Sequence, residues 1–130
     1  MDVEAWEQVH RAFHAGLVQH AGARVITLLE QFYDHSERYR RVYVSGNPGV
    51  WSGSAPEHRQ IFEACAAREA QRAGGLLARH LSRTALAGLT QMAPEHEPAL
   101  LRTALRQVTA ALEPRSLEVP LGAASVAAPA

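Results

Sequence analysis

The sequence predicts an all-α protein, an antiparallel helical bundle of four to five helices. Three observations predict it. Apolar residues recur at steps of three and four along most of the chain, no segment alternates as a strand does, and Gly- or Pro-containing stretches interrupt the pattern about once per helix length. The 130 residues, 47% of them hydrophobic, suffice for one small domain with a core and not for two.

The first helix is expected from about Asp2 to Gln19. Val3, Trp6, Val9, Phe13 and Leu17 make one stripe along it, and Asp2, Glu4 and Glu7 place negative charge at its N-terminal end. Gly22 marks its exit. The second helix spans roughly Arg24 to Val44, with Val25, Leu28, Leu29, Phe32, Tyr39 and Tyr43 expected on its buried side and Glu37, Arg38 and Arg41 outside. SGNPGVWSGS, Ser45 to Ser54, has the composition of a loop, and its Trp51 is expected to fold back onto the helices. Ser54-Ala55-Pro56-Glu57 matches a capping box, which starts the third helix near Ala55 and buries Ile61, Phe62 and Cys65.

A break is expected near Arg68-Glu69, followed by a fourth helix to about Leu89 with Leu76, Leu77, Leu81 and Thr84 inward. Gly74 and Gly75, poor helix formers, either permit close packing there or mark where this helix begins. Pro94 and Pro98 bracket a turn, and a fifth helix runs from about Pro98 to Leu112 through Leu101, Leu105, Val108 and Leu112. The folded domain is therefore residues 1–112, and the Pro- and Ala-rich tail, 113–130, is expected to be disordered.

Composition narrows the function. Thirteen basic residues, all Arg, balance 13 acidic ones, so the domain has no net charge with which to hold nucleic acid or an anionic membrane. No apolar run of about 18 residues offers a membrane span, and the N-terminus lacks a signal-peptide layout, so a cytoplasmic location is expected. The single Cys65 rules out an intramolecular disulfide and reads as a small core residue.

Seven His in this length is the unusual feature. His10 and His14, four apart, stack beside Phe13 and Leu17 at the edge of the inward stripe. His58 precedes Ile61 and Phe62, and His80 lies between Leu77 and Leu81. Four imidazoles from three helices thus point towards the interior, whereas His20, His35 and His96 fall at helix ends or among charges and read as surface residues. Two readings stand. Each inward ring is a core residue satisfied by a backbone carbonyl, or the four share a metal, which satisfies one nitrogen on every ring at once. His10-Arg11-Ala12-Phe13-His14 has the spacing of the HExxH zinc-hydrolase motif, but Arg11 stands where the general-base Glu is needed.

WEQVHRAFHAGL, PEHRQIFEAC and RHLSRTA together resemble the three signature stretches of the FCD domain, the C-terminal effector-binding domain of GntR-type transcription regulators of the FadR subfamily. FYDHSERYRRVY further resembles the subgroup that includes glutarate-responsive repressors. The resemblance covers roughly residues 3 to 90. It implies a divalent metal held by His14, His58 and His80, with His10 at the position where many members carry Asp, which makes the ligand set all nitrogen. It also implies a small organic-acid effector bound at or beside the metal, dicarboxylates and hydroxy acids among the candidates. Tyr33 and Arg40 are the expected effector contacts. The winged helix-turn-helix of such regulators and the first FCD helices are absent from this sequence, so DNA is expected to be reached only through a domain outside it.

The first reading is therefore a non-enzymatic, metal-containing, effector-binding and dimerising domain of a GntR-type regulator. Zinc is the expected metal, with nickel or another transition metal also suited to imidazole. A homodimer is expected because the faces around Trp6, Phe13 and the fifth helix lack partners. A small metal-dependent enzyme and a purely structural helical interaction module are the alternatives. A general base beside the metal distinguishes the enzyme, and metal content distinguishes the structural module. Because ligand imidazoles must be neutral, metal occupancy is expected to fall below about pH 6.5.

Overall fold

Asp2 starts the first helix: its Oδ1 accepts the backbone N–H groups of Glu4 at 2.9 Å and Ala5 at 3.3 Å. The computed structural model describes residues 2–47 and 50–112. Over these residues there are five helices and no strand: α1, Val3–Val18; α2, Ala23–Gly46; α3, Val50–Ala66; α4, Ala70–Met92; α5, Ala99–Leu112. The Trp51 side chain and the tail from 113 to 130 lie outside the described part.

The connections follow from local chemistry. Gly22 takes φ 87°, a conformation open to glycine, and lets the chain reverse into α2. At the expected break, Arg68 adopts φ 60° while the Glu69 N–H reaches back to the Ala64 carbonyl at 2.9 Å, which closes α3 with a Schellman-type turn. One boundary differs from expectation. α3 begins at Val50, so Ser54 is a buried residue within the helix rather than its cap. Pro56 forfeits one backbone hydrogen bond but has the φ a helix needs, so it did not set the helix start. Gly74 and Gly75 are interior to α4. A Cβ at Gly74 would lie 3.3 Å from Leu112 Cδ2, so its absence lets α5 pack closely.

α4 is the hub, with α2, α3 and α5 all packed on it and α1 packed on α2. The consecutive pairs α1–α2, α3–α4 and α4–α5 turn back on themselves through short connections, as in an antiparallel bundle. The fully buried apolar centre is small: Val44, Ile61 and Ala64. Phe62 and Cys65 are exposed, because α3 contacts its neighbours through Ile61 and the small Ala64 and leaves these two at the edge of that face. The stripe expected inside on α2 is exposed at Val25, Leu28, Leu29, Phe32 and Tyr39. The inward face of α2 is instead Tyr33, Ser36, Arg40 and Val44. Val9, Leu81 and Val108 likewise lie on the open side of their helices.

Charged residues join α1 to α2. Glu7, buried in α1, accepts from Arg40 Nη2 at 2.5 Å and Nε at 3.2 Å, and Arg40 itself is nearly covered. Outside this pair, Arg11 meets Asp34 at 2.6 Å and Arg41 meets Glu4 at 2.8 Å. These exposed pairs contribute little each, whereas breaking a buried pair strands a charge. Glu7→Ala is expected to lower unfolding stability by about 3 kcal/mol, several times the loss from Asp34→Ala, as read from urea unfolding followed by helical circular dichroism.

Candidate metal centre

The four inward histidines meet at one point. His10 and His14 come from α1, His58 from α3 and His80 from α4, and one ring nitrogen of each lies within 4.8 Å of those of the others. His10 Nε2 and His14 Nε2 are 3.2 Å apart. Ring centroids are 4.4 Å apart for His58 and His80, and 5.2 Å for His10 and His58. His20, His35 and His96 are exposed, as expected.

Each ring is anchored from its far side or packed in place. His10 Nδ1 is 2.6 Å from Tyr33 Oη, and the ring stacks on Trp6 with centroids 4.4 Å apart. His80 Nδ1 donates to Glu57 Oε2 at 2.8 Å, and Arg83 Nη1 takes the other Glu57 oxygen at 2.6 Å. The His58 ring bonds the Ser54 backbone, while its Nε2 is buried without a protein partner. Phe13 lies edge-on to His58 and to His14. Trp6 and Phe13, expected to lack partners, are thus covered by the imidazoles.

This pattern fits a bound divalent ion. A buried nitrogen with no partner costs free energy unless something outside the protein satisfies it. Two nitrogens on one tetrahedral zinc at about 2.0–2.1 Å stand roughly 3.3 Å apart, close to the 3.2 Å between His10 and His14. Glu57 accepts from the outer Nδ1 of His80, which fixes the tautomer that turns its Nε2 inward, and Tyr33 holds the outer nitrogen of His10.

Electrostatics favour the neutral, ligating form. Burial, then the neighbouring imidazoles and Arg40, lower the His10 pKa to about 2; burial, His80, His58 and Arg40 lower that of His14 to about 3. Burial and His80 lower His58 to about 4, against an opposing pull from Glu57. The pH threshold of about 6.5 expected from free imidazole therefore does not apply to His10, His14 and His58 in the folded site, which remain neutral well below it. Burial raises the Tyr33 hydroxyl pKa, so Tyr33 is neutral beside His10.

Sequence reasoning found the four histidines but placed His10 and His14 at the edge of the inward face, where they are central. It read Glu57 only as a capping residue and Glu7 only as a charge near a helix end. The adjacency Glu57-His58 was the signal available for the former; nothing local marks the latter. Tyr33 and Arg40 both border the cluster. Tyr33 orients His10, and Arg40, 3.7 Å over the Tyr33 ring, has its guanidinium taken by Glu7, Ser36 and the Tyr33 carbonyl. The Glu57 carboxylate spends both oxygens on His80 and Arg83, and the position of the zinc-hydrolase Glu in the HxxxH stretch is taken by Arg11, a permanent cation paired with Asp34.

No curated protein and no solved structure matches the chain. The FCD domain family matches residues 1–83, which carry all four clustered histidines. The chain therefore belongs to the FCD domain family, the C-terminal effector-binding domain of GntR-type transcription regulators.

Proposed function

We propose that this domain holds a divalent metal on His10, His14, His58 and His80 and senses a small organic acid there on behalf of a GntR-type regulator. The observation that carries the reading is the convergence of four ring nitrogens within 4.8 Å, one of them the buried and otherwise unpartnered His58 Nε2. An all-nitrogen set suits zinc, with nickel or another late transition metal also accommodated. When bound, the ion would supply a Lewis-acidic positive charge, and a carboxylate or hydroxyl oxygen would join the imidazoles only as a further ligand on expansion beyond four-coordination.

The chain's own residues set the conditions for that attachment. Glu57 holds His80 in the ligating tautomer, Tyr33 orients the His10 ring, and the Glu7–Arg40 pair locks α1 to α2 beside the cluster. Ligands drawn from three helices make helix packing and site geometry one equilibrium. A ligand favouring one packing shifts it by its differential affinity. Such a shift reaches DNA through a reading domain outside this sequence, which itself reads no DNA. Residues 1–112 are the sensing domain in this account, and 113–130 a tail beyond it. Glu57, the carboxylate bonded to a cluster imidazole, is engaged by both His80 and Arg83, which supports regulation over catalysis.

No described helix is long and apolar enough to cross a membrane, and a cytoplasmic location belongs to this reading of a regulator domain. A homodimer also belongs to it, but the supporting surface is not the one around Trp6 and Phe13. The exposed apolar residues Val25, Leu28, Phe32, Tyr39 and Val42 follow α2, and Leu100 on α5 is 88% exposed.

Three measurements test this reading. Protein purified without a His-tag or chelator is expected to contain about one divalent ion per chain, and His14→Ala or His80→Ala to lose most of it; full occupancy in both variants rejects the site. The second concerns pH. Folded His10, His14 and His58 stay neutral while the unfolded chain takes up protons below about pH 6.5, so the metal-free protein keeps this stability above that pH and loses it on acidification. The slope is about 1.4 kcal/mol per pH unit for each proton taken up only on unfolding. Urea midpoints of the metal-free protein should fall steeply from pH 6.5 to 5, and a flat profile contradicts the buried cluster. Thirdly, sedimentation should give a dimer that Phe32→Glu weakens; a folded monomer at micromolar concentration contradicts the assembly.

A further inference from the structure

Beside the histidines, a cavity of about 310 Å³ runs between α1, α2 and α4. His10 and His14 are on its wall, and the apolar Ala15, Val18, Ile26, Leu29, Phe32 and Leu77 make up half of the remaining lining, beside Tyr33, Ser36 and three charged residues. A water fills about 30 Å³ of liquid, so the space suits a ligand of on the order of ten non-hydrogen atoms.

The charges on this wall are already matched. Arg11 is held by Asp34 at 2.6 Å with Glu37 at 3.8 Å, and Arg40 is held by Glu7 at 2.5 Å. The remaining charged group on the lining is Glu30, an anion. A second carboxylate on a ligand anchored at the histidines would meet apolar side chains and Glu30, and to pair with a lining cation it would have to displace Asp34 from Arg11 or the buried Glu7 from Arg40. Burial against the apolar half of the wall would cost it hydration. An alkyl chain meets no such penalty and gains from burial against Val18, Ile26 and Leu29.

We infer that the acid recognised here is a monocarboxylate with an apolar tail of about five to seven carbons, its head at the histidine cluster and its tail along the α1–α2 cavity. This rests on the proposed metal-bound effector reading and narrows its ligand class from organic acids in general. Selectivity against dicarboxylates of equal length then comes from the matched pairs Arg11–Asp34 and Arg40–Glu7 and from Glu30, whereas affinity among monoacids comes from the apolar wall.

Calorimetry of the zinc-loaded protein with acetate, butanoate, hexanoate and octanoate, and with adipate as the six-carbon dicarboxylate, tests it. Affinity is expected to rise by about fourfold per added methylene until the cavity is filled, since each buried methylene contributes about 0.8 kcal/mol. Hexanoate should bind at least tenfold more tightly than adipate. Leu29→Asp, on a partly exposed side chain, should cut hexanoate affinity at least tenfold while leaving zinc content and acetate binding unchanged. Adipate binding as tightly as hexanoate, or monoacid affinity independent of length, overturns the inference and leaves the metal-bound effector reading standing. If no acid binds, acetate included, or if all bind equally without zinc, the underlying reading fails as well.

Discussion

The fold turns on how four imidazoles are satisfied inside a small bundle. Burying a ring with two polar nitrogens is unfavourable unless both are paired, and here four such rings sit where a larger domain would place leucines. The protein supplies partners on the outer side through Tyr33, Glu57 and the Ser54 backbone. Inward, the rings face each other, and His58 Nε2 has nothing to bond. Without an ion, His10 Nε2 and His14 Nε2 must share a proton at 3.2 Å. With one, both lone pairs point the same useful way. The arrangement is poor as a core and well suited to a ligand sphere.

That constraint explains the rest of the architecture. A buried apolar centre of Val44, Ile61 and Ala64 is slight for five helices, so polar links between elements matter more than usual. Glu7 and Arg40 fasten α1 to α2, and Glu57 ties α3 to His80 on α4 while Arg83 balances its charge. The same residues that complete the fold also hold the rings in place. Helix packing and stability are therefore coupled through one cluster, and a metal bound there as proposed would be coupled to both.

The helices were legible in the sequence because their apolar spacing and Gly and Pro boundaries act locally. The break at Arg68-Glu69 was legible for the same reason. The start of α3 was not, since the capping-box pattern at Ser54 and the preference of Pro56 for a first turn pointed to Ala55, whereas the helix begins at Val50 and tolerates Pro56 inside it. The buried faces were misjudged in a consistent direction. Hydrophobicity centred α1 on Val9 and Phe13 and α2 on Leu28 and Phe32, whereas the inward faces carry Glu7, His10 and His14, and Tyr33, Ser36 and Arg40. A periodicity argument assumes an apolar interior, and this interior is polar where the site is. Histidine composition and the FCD-like stretches supplied what periodicity lacked. The pairing of Glu7 with Arg40 joins residues 33 positions apart and has no local signature.

X-ray absorption at the edge of the bound metal addresses the central claim most directly. A shared site predicts a first shell of nitrogen scatterers near 2.0–2.1 Å with the outer-shell pattern of about four imidazoles, and the loss of one imidazole in His10→Ala. A first shell dominated by carboxylate oxygen or sulfur, or one unchanged when His10, His14, His58 or His80 is replaced, would contradict it.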